Sequence, residues 1–155
     1  MSEPGAAVRV PPPLLYLISV GLGVALELGT SVFSLHLPLM VRIAGAAAAA
    51  TVALVFIVKA IGKFNATGQD PKPWLPSPEI ITTGIYSVSR NPMYVALTLV
   101  QMAIGIGMSS AWVLGLAAVS LLGVYLVAVR HEEAYLDGKF GEAYRDYKRS
   151  VRRWI

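Results

Sequence analysis

The chain has 155 residues, 55% of them hydrophobic and 14% charged, and the charges are gathered into a few stretches between long apolar runs. Such clustering excludes an ordinary soluble domain, and about four spans of roughly 20 residues would use nearly all of the length, leaving little for a separate soluble catalytic domain. The absence of cysteine rules out a disulfide framework, a thiolate metal site and a cysteine nucleophile, while the net charge of +4, carried at span boundaries without a groove-reading motif, points to lipid headgroups and away from nucleic acid.

Residues 1–13 carry one arginine, Arg9, and a proline run, with no small-residue cleavage site after a short apolar region, so the first apolar segment is expected to be retained. That span is expected over about Leu14 to Leu37, entered through prolines. Glu27, its only acid, must be neutral, paired across the bundle, or turned to a polar cavity where it could meet a substrate. His36 falls at the far membrane edge and reads as interfacial. A second span is expected over about Leu39 to Ile61, with small residues at Ala46 to Ala50 that allow close packing. Pro38 separates the two spans, which suggests a hairpin with a very short turn.

Residues 62–90 are rich in proline and polar side chains and read as a loop at the interface, with Trp74 and Tyr86 at headgroup level. The third span starts at Asn91 and Pro92, proline being favoured at the first helical position, and runs to about Met108. Ser109 and Ser110 make a tight turn before a fourth span, Ala111 to about Val129. Gly21 and Gly23, like Gly105 and Gly107, share two glycines with a dinucleotide fingerprint. They lie inside apolar spans without a preceding strand and are better read as packing glycines. In the tail, Phe140, Tyr144, Tyr147, Val151 and Trp154 recur at helical spacing and give one apolar stripe, with Arg145, Lys148, Arg149, Arg152 and Arg153 around it. This predicts an interfacial helix on anionic lipid.

Of the 13 lysines and arginines, only Arg42 is near the first inter-span turn and none is in the last. By the positive-inside rule both termini and the central loop face the cytoplasm. The expected fold is all-α: a single-domain, multi-pass membrane bundle of about four transmembrane helices (14–37, 39–61, 92–108 and 111–129) plus a C-terminal interfacial helix.

Two constellations could carry chemistry. The segment Thr82 to Tyr94 brings a hydroxyl pair, a glycine, Arg90 and two tyrosines to a helix N-terminus, whose unpaired N–H groups could hold a carboxylate. Arg90 could equally snorkel to phosphate headgroups. Arg130, His131, Glu132 and Glu133 follow the fourth span, and carboxylates at the edge of low dielectric need cationic partners or protons. One could bind an ammonium, and His131 could accept a proton. HExxH, phosphate-loop and nucleophile-elbow motifs are missing, and no metal site is expected.

Taken in order, TTGIYSVSRNPMY, two spans and HEEAYLDGKFGEAYRDYKRSV resemble the isoprenylcysteine carboxyl methyltransferase and phospholipid methyltransferase superfamily of integral membrane enzymes, over about Pro78 to Val151. The resemblance implies an S-adenosylmethionine-dependent methyltransferase whose cofactor is surrounded by Pro78, Glu79, Ile80, Ile81, Tyr86, Asn91, Pro92, Met93, Tyr94 and Glu132. It places the cofactor ammonium at Glu132 and the carboxylate at the turn from Arg90 to Tyr94, with Arg90, Glu133 and His131 as candidates for catalytic contacts. The implied acceptor is a membrane lipid or a small membrane-soluble molecule methylated on O, N or S. Asn91 stands where the prenylcysteine enzymes have histidine, Ala128 where they carry a substrate-contacting arginine, and residues 151–155 lack their final proline signature. Two other readings compete: a membrane NADPH-dependent sterol or steroid reductase, which shares an RNPxY-like segment, and a non-catalytic membrane helical protein.

Overall fold

The computed structural model describes residues 5–30 and 35–155. The apolar helices are α1 (Pro12–Thr30), α2 (Leu39–Ala66), α3 (Pro92–Met108) and α4 (Ala111–Val124). A π-helical turn, Tyr125–Val129, leads from α4 into α5 (Arg130–Phe140), and α6 (Glu142–Ser150) follows; a short 3-10 helix, Gly84–Ser87, precedes α3. Among the described residues there is no strand.

α1, α2 and the continuous helix Ala111–Phe140 are each long and apolar enough to cross a bilayer. Only Ala53 and Ala60 of α2 are buried. Leu17, Ile18 and Leu22 of α1, Leu54 and Val58 of α2, and Val119 and Leu122 of α4 face outward. Water would penalise this apolar belt and acyl chains accept it, so the chain is an integral membrane protein. α3 has 17 residues, or about 25 Å at 1.5 Å per residue, and lies innermost.

α2 packs along one flank of α3 and α4 along another, while α1 packs chiefly on α4. The expected short hairpin of the first two spans is therefore absent. Their connection crosses the α3–α4 turn, where the N–H of Leu35 donates to the Ser109 carbonyl at 2.9 Å and that of Leu37 to its hydroxyl at 2.8 Å. The end of the first span also differs: α1 is described as far as Thr30, residues 31–34 lie outside the described residues, and Leu35 to Leu37 are not helical. At its other end α2 runs past Ile61 to Ala66, shortening the central loop.

Polar side chains hold the helices together where hydrophobic association is weak. Gln101, 1% exposed, donates from Nε2 to Ser19 of α1 and to the Val113 carbonyl of α4, both at 3.1 Å, and accepts from Ser120 at 2.8 Å. Glu27 is hydrogen-bonded across the bundle: it accepts at 2.6 Å from the hydroxyl of Ser110, which caps α4. A Cβ at Gly23 would stand 3.0 Å from the Cα of Val113, and one at Gly105 2.7 Å from Leu114, so these two are packing glycines. Gly21 faces open space and is not.

The tail is not one helix. Gly141, at φ 55° and ψ −124°, separates α5 from α6, and α6 ends at Ser150. The apolar stripe is broken there, and its members Tyr144 and Tyr147, 2% and 7% exposed, turn into the protein and away from lipid.

Candidate active site

Where the end of α2, the central loop, the start of α3, α5 and α6 converge, they enclose a cavity of about 480 Å³. Asn91 and Pro92 open α3, the proline fixing the first helical turn, and so bring Met93 and Tyr94 to the cavity wall. From α5, Glu132 also lines the cavity, and its Oε1 accepts a hydrogen bond from the Tyr94 hydroxyl.

Arg90 and Glu133 form an ion pair at 3.1 Å, their side chains 9% and 14% exposed. The chain turns back after α6 to complete it. Arg153 donates to both Glu133 oxygens, at 2.8 and 3.0 Å, and its carbonyl accepts from the Asn91 side-chain amide at 3.0 Å. The backbone N–H of Arg90 donates to the Arg152 carbonyl at 3.0 Å. The Arg90 Nε is buried without a hydrogen-bond partner.

Aromatic residues supply much of the remaining wall. Tyr86 meets Phe64 edge to face, centroids 6.0 Å apart, and its carbonyl accepts from the Tyr147 hydroxyl at 2.6 Å. Burial pushes the Tyr86 and Tyr147 phenols well above their ordinary range. Burial, with Glu133 nearby, pushes Tyr144 up to about 12 against the opposing pull of Arg90. All three remain protonated at neutral pH.

Of the residues singled out from sequence, Glu79, Ile80, Ile81, Tyr86, Asn91, Pro92, Met93, Tyr94 and Glu132 line the cavity, as do Arg90 and Glu133. Pro78 and His131 do not. Pro78 is exposed, and His131, about 100° round the helix from Glu132, has Nε2 3.4 Å from the Nε of exposed Arg130. Trp74 and Tyr86 also line the cavity, Tyr86 buried and Trp74 partly exposed. Ala128 is fully buried in the cluster containing Ala6, Val8 and Tyr16, where an arginine has no room.

Several wall residues were not singled out. Tyr135 and Leu136 lie three and four positions after Glu132 and so share its face, a signal the sequence did carry. Pro11 to Pro13 and Gln69 also line the cavity; the N-terminal segment is fastened to the loop by a 3.0 Å bond from the Ala6 N–H to the Pro73 carbonyl. No local pattern foretold this closure.

Residues 39–143 match the phospholipid methyltransferase family. Over 65 residues, 41% of this chain, the sequence is 38% identical to the whole length of an uncharacterized protein of Haemophilus influenzae. No solved structure matches. With the match covering more than half of its length, the chain belongs to the phospholipid methyltransferase family.

Proposed function

We propose that the cavity binds S-adenosylmethionine and that the protein methylates a lipid or small membrane-soluble acceptor reached from the bilayer. The observation that carries this reading is a pair of opposite charges lining one sheltered cavity: Glu132, held by Tyr94, and Arg90, with its buried unpartnered Nε. A zwitterionic ligand end matches both, its ammonium at Glu132 and its carboxylate at Arg90 and the first turn of α3. Phe64, Tyr86, Ile80 and Leu97 give apolar surface for the remainder, and the volume lies within the ordinary range of small-molecule sites.

S-adenosylmethionine supplies an electrophilic methyl group on a sulfonium sulfur. The residues of this chain orient that group and the acceptor and keep water out. Tyr86 and Tyr144 bring aromatic rings to the cavity, and such rings favour a cationic ligand. Glu133, bound by Arg90 and Arg153, acts as a positioning residue, which revises its expected contact with the acceptor. His131, outside the cavity, has no part in this reading. Ile57 of α2 and Leu97 of α3 extend the wall into the apolar body of the bundle, which suits an acyl or other greasy acceptor. The distribution of lysine and arginine supports a cytoplasmic cavity and cytoplasmic termini.

The test is transfer of labelled methyl from S-adenosylmethionine, with the protein in lipid, to phosphatidylethanolamine, prenylcysteine, small thiols and amines. Transfer to one class, with thermal stabilisation by S-adenosylhomocysteine and none by NADPH, is the expected result. Stabilisation by NADPH alone would favour the reductase reading, and neither transfer nor binding would overturn the proposal.

A further inference from the structure

Gln69 sits just after the glycine that ends α2. Gly68 has φ 66°; its N–H donates to the Asn65 carbonyl at 3.3 Å, and the N–H of Gln69 reaches back to that of Phe64 at 2.9 Å. In this left-handed glycine cap the residue at Gln69's position ordinarily packs an apolar side chain on the last helical turn. Here the side chain is an amide. It is 8% exposed and lines the cavity, and its Nε2 is buried without a hydrogen-bond partner. A buried donor left unpaired destabilises a fold. Folding alone gives no reason for an amide here, and a leucine would serve the cap better.

The surroundings indicate the kind of ligand atom that would pair with it. Phe64, whose carbonyl closes the cap, and Tyr86, edge-on to Phe64, both line the same cavity. The ionic wall residues Arg90 and Glu132 come from other elements, the entry to α3 and the start of α5. An anionic ligand group is matched by the Arg90 guanidinium, whereas a neutral amide beside aromatic rings suits a neutral heteroaromatic ring. We propose that Gln69 donates from Nε2 to a ring nitrogen of a purine packed near Phe64 and Tyr86. This makes Gln69 a specificity residue for the adenine end of the ligand, and it rests on the reading that the cavity takes an adenosyl compound.

The experiment measures binding of S-adenosylhomocysteine to the full chain in nanodiscs by calorimetry, for the parent, Gln69→Leu and Gln69→Met. Each protein is also titrated with the 1-, 3- and 7-deaza analogues, in which one ring nitrogen is replaced by C–H. Both variants are expected to bind S-adenosylhomocysteine about tenfold more weakly than the parent. One deaza analogue should show the same loss in the parent, and the two losses should not add. Without ligand, the variants should melt no lower than the parent. Unchanged binding, additive losses, a loss that no deaza analogue reproduces, or a lower unliganded melting temperature in both variants would overturn the role of Gln69 and leave the adenosyl reading standing. Failure of the parent to bind S-adenosylhomocysteine would overturn both.

Discussion

Glu132 and Glu133 are neighbours in sequence and opposites in their surroundings. Glu133 lies between two guanidiniums, so Glu133→Gln leaves Arg90 and Arg153 facing each other without their common partner. The expected cost is about 2 kcal/mol, below the ~3–5 kcal/mol of a fully buried pair because Arg153 is 36% exposed. Thermal unfolding in detergent measures it. Glu132 accepts instead from a phenol hydroxyl, and among the described residues no cation pairs with its carboxylate. Glu132→Gln should therefore melt no lower than the parent while binding S-adenosylhomocysteine roughly 10- to 100-fold more weakly. Equal binding would remove Glu132 from the site. The acidic pair was legible in the sequence as a place where charge must find partners. The division of roles was not, because Arg153 arrives through a chain reversal twenty residues later that no local pattern encodes.

α4 buries Val113, Ala117, Ser120 and Val124, an ordinary helical stripe. Continued at 3.6 residues per turn, that stripe would pass through Ala128 and then His131. The π-helical turn at Tyr125–Val129 accommodates one extra residue and rotates α5 by about 100° relative to α4, so Glu132 and Leu136 come to the cavity instead. The sequence carries no signal for this turn, which is why His131 was a reasonable candidate and the wrong one for this wall. Deleting Leu126, which is exposed on the apolar surface, removes the extra residue and should restore the regular ladder with Glu132 still turned to the cavity. Helix content by circular dichroism and S-adenosylhomocysteine binding should both hold; lost binding with the helix intact would count against the register argument. Gly141 performs a comparable service for α6. Its φ of 55° with ψ of −124° is open to glycine and strained for any residue with a Cβ, so Gly141→Ala should cost about 1–3 kcal/mol. Faster proteolysis within α6 is the expected readout, since that helix carries Tyr144 and Tyr147 onto the cavity.

The apolar spans and the motif at the entry to α3 were readable from composition and periodicity, because lipid imposes both length and hydrophobicity on whatever crosses it. The packing order was not readable. Nothing in α1 or α2 says that their connection crosses the Ser109 turn, yet that crossing sets α1 against α4 and carries the N-terminal prolines to the cavity. It also fixes which ends share a face. His36 and the α3–α4 turn lie at one end of the bundle, and the cavity with α6 at the other. Lysine and arginine concentrate toward the cavity end, so that end should be cytoplasmic. The chain has no cysteine, so a single introduced thiol reports its own side without background. In intact cells, a membrane-impermeant maleimide should label His36→Cys directly and Lys148→Cys, exposed on α6, only after lysis. The reverse pattern would invert the assigned orientation and place the cavity, with any adenosyl ligand it takes, on the side away from the cytosolic supply.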